Sequence, residues 1–97
     1  MIRHVAMFTW KPETTAEQKE LVSAELAKLP PLLNGLRAYS FSADVGLNEG
    51  NADFVVVADF DDVDAYLGYR DHPEHVRVAT QVIGPIVARR MAIQVDI

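Results

Sequence analysis

The chain has no cysteine. Disulfides, thiolate metal centres and a cysteine nucleophile are therefore excluded at the outset. No apolar run approaches the ~20 residues that a membrane span needs, so a membrane is not expected as a partner. The N-terminus shows no signal-peptide pattern, which makes the cytoplasm the expected compartment. Basic residues are few: nine Lys and Arg stand against fourteen Asp and Glu, for a formal net charge of −5. Arg89-Arg90 is the one adjacent basic pair, and it reads as a solvated strand start or a helix C-terminus. Without a basic stripe the chain lacks the electrostatic footprint of a nucleic-acid binder. No internal repeat or low-complexity tract is present.

What remains is ordinary globular material, 49% apolar and 24% charged over 97 residues, and residues 1–97 read as a single domain. A chain of this size buries only ~60–70% of its unfolded surface, so a sheet with one face open to water would be marginal by itself.

The alternation over Met1–Lys11 predicts a strand ended by Pro12. Ile2, His4, Ala6, Phe8 and Trp10 lie on one face, with Arg3, Val5, Met7, Thr9 and Lys11 on the other. Thr14 and Thr15, followed by Glu17 and Gln18, offer two overlapping capping boxes. The helix behind them carries Val22, Leu26, Leu29 and Leu33 on one side and should stop near Lys28–Leu29, before Pro30-Pro31. A second strand is expected over Leu36–Val45, with Tyr39, Phe41, Ala43 and Val45 on one face. Gly46–Ala52 then makes a hairpin loop to an antiparallel strand over Asp53–Phe60. In that strand the unbroken apolar run Phe54–Ala58 signals burial on both faces. Met91–Ile97 closes the chain as a fourth strand.

Between the third and fourth strands lies Tyr66–His75, which holds two of the three tyrosines and two of the three histidines. Asp61-Asp62 caps a short helix there. Pro73 pushes His72 out of helical geometry while suiting the first position of a new helix. One helix should end near Tyr69–Arg70 and another start at Pro73, with His75 in its first turn and Val76, Ala79, Ile83 and Ile86 facing inward. Gly84-Pro85 ends or kinks it. This corner is the expected functional site, reached by His4 from the first strand.

The order β-α-β-β-α-β is the ferredoxin-like arrangement of the α+β class: a four-stranded antiparallel sheet with helices on one face. The helices cover only that face, yet the first and third strands are apolar on both. A second copy packed sheet to sheet is the simplest cover, giving a homodimer with Val5 and Met7 as candidate contacts. His4 and Phe8 then point toward the helices.

Three groups of residues carry a family resemblance. Arg3-His4-Val5 opens the first strand, Asp59-Phe60 enters a helix, and Tyr69-Arg70-Asp71-His72-Pro73-Glu74-His75 spans the helix break. Together they closely resemble the stress-responsive dimeric α/β-barrel (Dabb) family over essentially the whole chain. The resemblance implies a homodimer whose two sheets form a barrel. It implies less about activity, because most members have no assigned reaction and several plant members look like stress-related or antimicrobial proteins. A few are enzymes, including an olivetolic acid cyclase that performs an aldol condensation on a linear polyketide, and a hydroxynitrile lyase.

In the cyclase-like members the pocket lies between sheet and helices, and its polar end holds a strand histidine, a tyrosine and the last histidine of the motif. His4, Tyr69 and His75 occupy those places here and are the expected catalytic residues. Phe8, Val22, Leu26, Ala79 and Ile83 are expected to contact a ligand. His72 joins them as the first motif histidine, in a structural or supporting role. Ala6, Val22 and Leu26 are smaller or less aromatic than a lining tailored to a long alkyl-resorcylic substrate.

Aldol chemistry needs a base for an acidic C–H and a donor for the developing oxyanion. His75, at a helix N-terminus that disfavours added positive charge, suits the base. Tyr69 suits the donor, and His4 could orient the substrate. A carbon–carbon lyase needs the same functions, so the expected ligand is a small carbonyl or polyketide-like compound, with no cofactor.

Two other readings stand beside this one. In the first, the protein is a stress-related dimer that binds without chemistry. In the second it is a cofactorless monooxygenase of related architecture, away from which the His-Pro-x-His motif points. A metal is not expected: His72 and His75 straddle the helix start, leaving fewer than three dependable ligands. Asp61, Asp62 and Asp64 suit a helix dipole rather than calcium.

Overall fold

The computed structural model describes residues 1–97, in the order expected. Strand β1 covers Ile2–Trp10, helix α1 Ala16–Leu26, β2 Leu36–Ala43, β3 Phe54–Phe60, α2 Val63–Asp71, α3 Pro73–Arg77 and β4 Val87–Asp96. The sheet order is β2-β3-β1-β4, with every pair antiparallel. This is the ferredoxin-like fold.

Local chemistry sets the boundaries. Of the two capping boxes, Thr15 with Gln18 is the one formed: the Thr15 hydroxyl takes the Gln18 N–H and the Gln18 amide oxygen takes the Thr15 N–H. Pro30 opens a single 3₁₀ turn, Pro30–Leu32, that ends the helical segment. Gly35 turns the chain into β2 at φ +74°, and a Cβ there would lie 2.7 Å from that of Ala65, so the position requires glycine on both counts. β2 stops at Ala43, two residues short of the expected Val45. The Asp44 carboxylate accepts the Gly46 N–H and bends the chain away, leaving Val45 exposed.

Two further expectations are corrected. β4 begins at Val87, opposite Trp10, four residues before the anticipated Met91. As an edge strand exposed at Ala88-Arg89-Arg90, it gives no apolar alternation over its first residues. The helix after the break also does not keep an α-helical period. α3 passes into a π-helical stretch, Val78–Ile83, where the Gly84 N–H donates to the carbonyl of Ala79, five residues back. Wider winding puts Val78 and Ile83, five apart, into the core and leaves Val76 exposed.

The core lies between the helices and one face of the sheet. Ala6, Phe8 and Trp10 of β1, Phe54, Val56, Ala58 and Phe60 of β3, and Val22, Leu26 and Leu29 of the first helical segment are all buried. The opposite face has no cover. Register aligns Val5 with Val57 and Ile93, and Met7 with Val55 and Met91, so this face is apolar across three strands. Met7, Met91 and Ile93 are 39%, 50% and 57% exposed. At one end, Arg3 and Asp59 form a two-toothed ion pair, with N···O distances of 2.8 and 2.9 Å.

Candidate active site

The helix break builds the site. His72 caps α3: its Nδ1 accepts the Glu74 N–H at 3.1 Å. In a continuous helix that N–H would belong to the carbonyl of Arg70, four residues back. The freed carbonyl instead accepts from His75 Nδ1, 3.0 Å away. Pro73 thus does two things at once. It starts a new helix, and through His72 it releases a backbone acceptor that fixes the His75 ring. With Nδ1 carrying the proton, His75 Nε2 holds the free lone pair.

His4 is fixed in the complementary sense. It lies in β1 between Ala58 of β3 and Gln94 of β4, almost wholly buried. The Gln94 amide Nε2 is 2.9 Å from His4 Nδ1 and donates to it, so the neutral ring carries its proton on Nε2. One imidazole therefore offers a proton acceptor and the other a donor.

Both are held neutral. Burial, then the charge of Arg90, then His75 push the His4 pKa down to about 4. Burial also lowers that of His75; the hydrogen bond to Arg70 opposes the shift and Arg90 adds to it. Tyr69, in the last turn of α2, lies between the two imidazoles, its ring centroid 4.2 Å from His75 and 5.8 Å from His4. Phe60 and Tyr66 complete its surroundings. Burial raises the Tyr69 hydroxyl's pKa, so it remains a donor. The neighbouring Tyr39 hydroxyl is also buried and held protonated. It approaches Tyr69 closely enough to affect its ionisation, but completes no hydrogen bond of normal geometry.

His4, Tyr69 and His75 line a cavity of about 220 Å³ between the sheet and the helices. Its apolar walls are Ala6 and Phe8 of β1, Leu26 of α1, Val56 of β3, Val78, Ala79 and Ile83 of the π-helical stretch, and Val87 of β4. Of the residues expected from sequence, His4, Phe8, Leu26, Tyr69, His75, Ala79 and Ile83 come together here. Val22 and His72 do not. Val22 is fully buried in the core without reaching the cavity wall. His72 lines a shallower hollow of about 410 Å³ on the other side of Tyr69, with Asn34, Gly35 and the carboxylates of Asp61, Asp62 and Asp64. Two of those carboxylates are engaged, Asp61 by Arg37 and Asp62 as the α2 cap. No three His, Asp or Glu side chains converge to hold a metal ion, and no helix is long and apolar enough to cross a membrane.

A model of the Dabb family, the stress responsive A/B barrel domain, matches residues 2–97. The chain belongs to the Dabb family. Among solved structures it is similar to a dimeric ferredoxin-like protein of unknown function from Thermobifida fusca, at 46% identity and a TM-score of 0.90, covering 99% of this chain and 90% of that one. A Dabb family protein with a ferredoxin-like fold from Mesorhizobium loti shares the fold at 23% identity, with a TM-score of 0.82 and coverage of 99% and 95%. The hydroxynitrile lyase of Passiflora edulis does so at 15% identity, with a TM-score of 0.85 and coverage of 99% and 92%. No curated protein matches.

Two polar residues of this Dabb chain were not anticipated at the site. Gln94 orients His4, and Arg90 lines the cavity. Both sit on β4 with even numbers, on the face shared with Ala92, and register sets Arg90 opposite Phe8 and Gln94 opposite His4. The alternation expected for Met91–Ile97 already carried this parity. Extending it one residue back puts Arg90 on the same face as Gln94, and the strand register alone sets that face beside His4 and Phe8.

Proposed function

We propose that the protein is a small cofactor-independent enzyme performing aldol-type cyclisation or carbon–carbon lyase chemistry on a carbonyl substrate. The observation that carries this reading is the pair of oppositely oriented neutral imidazoles flanking Tyr69 at the polar end of an apolar cavity. In the cyclisation direction His75 Nε2 removes a proton from carbon, and the new C–C bond leaves the π electron pair on the attacked carbonyl oxygen. In the lyase direction it removes the hydroxyl proton, the C–C bond breaks as the carbonyl forms, and the departing carbanion takes that proton back from His75. Tyr69 and His4 Nε2–H donate to the oxygen on which negative charge develops. The fold shared with a hydroxynitrile lyase agrees with the lyase direction. The cavity volume favours a compact substrate over an extended polyketide.

Two copies are proposed to pack sheet to sheet through the face that carries Val5 and Met7. The uncovered apolar strands and the dimers described for relatives from Thermobifida fusca and Bacteroides fragilis support this.

A ligand-binding dimer without chemistry is the rival reading. It draws on the apolar walls, which hold a ligand without acting on it. A panel of small hydroxynitriles, aldols and oxo compounds separates the two. We expect turnover by the native chain and a roughly 10²–10⁴-fold loss in His75→Ala with its circular dichroism unchanged. Full activity in that variant removes His75 as the base. Binding without turnover across the panel supports the rival.

A further inference from the structure

We propose that Arg90 is the specificity residue of this cavity and that the ligand is a small apolar monocarboxylate, its carboxylate gripped by the guanidinium and its body held in the apolar chamber. This rests on the reading of the cavity as a ligand site and names what enters it.

Arg3, Arg37, Arg70 and Arg77 each pair with a carboxylate: Asp59, Asp61, Asp71 and Glu25 respectively. Arg89 and Arg90 have no such partner. Of these two, Arg90 lines the cavity, and strand parity explains why. Arg90 shares the helix-facing side with Ala92 and Gln94, while Arg89 has the opposite parity. Arg90 is exposed, so its head stands at the mouth rather than in the depths.

Nothing in the cavity neutralises it. The lining contains no Asp or Glu, and its two imidazoles are held neutral, in part by Arg90 itself. An unpaired cation at the rim of a low-dielectric chamber concentrates anions there. A guanidinium presents a planar fork of donors that matches a carboxylate with two parallel hydrogen bonds. At the packing density of a protein interior, about 220 Å³ holds on the order of ten non-hydrogen atoms. That is one ring or a short branched chain with its acid group. Such a ligand, anchored at Arg90, lies against Phe8, the residue opposite Arg90 across the strand pair, and turns its other end toward the imidazoles.

Benzoate and its neutral counterpart benzamide test this by NMR titration of the full-length protein. We expect benzoate to bind with shifts at Phe8 and Ala79, at least about tenfold more tightly than benzamide. Arg90→Gln should abolish that preference, Arg90→Lys should retain part of it, and Arg89→Gln, on the opposite face of β4, should leave it intact. Equal affinity for the two compounds in the native protein overturns the assignment, as does a preference that survives in Arg90→Gln. If Arg90→Gln weakens self-association and spares the preference, the charge serves a subunit contact and the proposal fails. If both compounds shift Phe8 and Ala79 equally, the cavity reading stands and only the anion assignment falls. If neither perturbs these residues up to about 20 mM, both readings fall.

Discussion

At the scale of single residues, the site depends on which nitrogen of each imidazole is already used. His75 Nδ1–H donates to the Arg70 carbonyl and His4 Nδ1 accepts a hydrogen bond from the Gln94 amide, so each presents Nε2 in an opposite role. Titration followed by NMR should find His4 protonating only near pH 4. This has a consequence for stability. The His4 pKa is depressed in the folded state, so its contribution is fully present above its unfolded value, ~6.5. As pH falls from there toward about 4, the unfolded chain binds the proton first and stability declines. His4→Phe should flatten the slope of melting temperature against pH in that window. An unchanged slope would show that His4 titrates normally. His75, depressed by burial, places the acid limb of any activity profile below the ordinary histidine range.

At the scale of elements, the helix break and the π-helical stretch that follows shape the cavity. The break frees the Arg70 carbonyl, and the wider winding turns Val78 and Ile83 inward. π-Helical turns are uncommon and recur at functional positions. This one is held at its end by Gly84, where a Cβ would lie 2.7 Å from the Thr80 carbonyl oxygen and 3.2 Å from that of Ala79. The obstacle is backbone, so it cannot swing aside as a side chain would. Gly84→Ala should destabilise the fold by about 1–3 kcal/mol in urea unfolding and alter the cavity wall. A neutral substitution would mean that the winding relaxes without cost. The sequence announced the break through Pro73 and Gly84-Pro85. It did not announce the π-helical winding, because the apolar spacing of Val76, Ala79, Ile83 and Ile86 also fits an ordinary helix.

At the scale of the whole molecule, the governing fact is an apolar sheet face without cover. Val5, Met7, Val55, Val57, Met91 and Ile93 converge there from three strands. Met7→Glu should shift the protein from dimer to monomer in sedimentation at micromolar concentration. It should also cost stability, because a chain of this size has little core to spare. A dimer that persists unchanged would move the interface elsewhere. The Arg3–Asp59 pair closes one end of this face. Its two residues come from motif positions that stand apart from the cavity, so the family pattern combines residues of the site with residues of the sheet.

By itself the sequence determined the alternations that make four strands, the caps and prolines that bound the helices, and the two-sided apolar strands that demand a partner. These are local properties, written in nearest neighbours and short periods. It also brought His4, Tyr69 and His75 under suspicion, because a proline-broken helix and an inward strand face restrict where those side chains go. Only the tertiary structure decided that Gln94 and Arg90 join them while Val22 and His72 do not. The reason is register. Which residue of β4 stands beside His4 depends on pairing across almost the whole length of the chain, and no local pattern encodes that distance. The Arg70 carbonyl is decided more locally: His72 takes the Glu74 N–H that a continuous helix would give it, and His75 Nδ1–H donates to it instead.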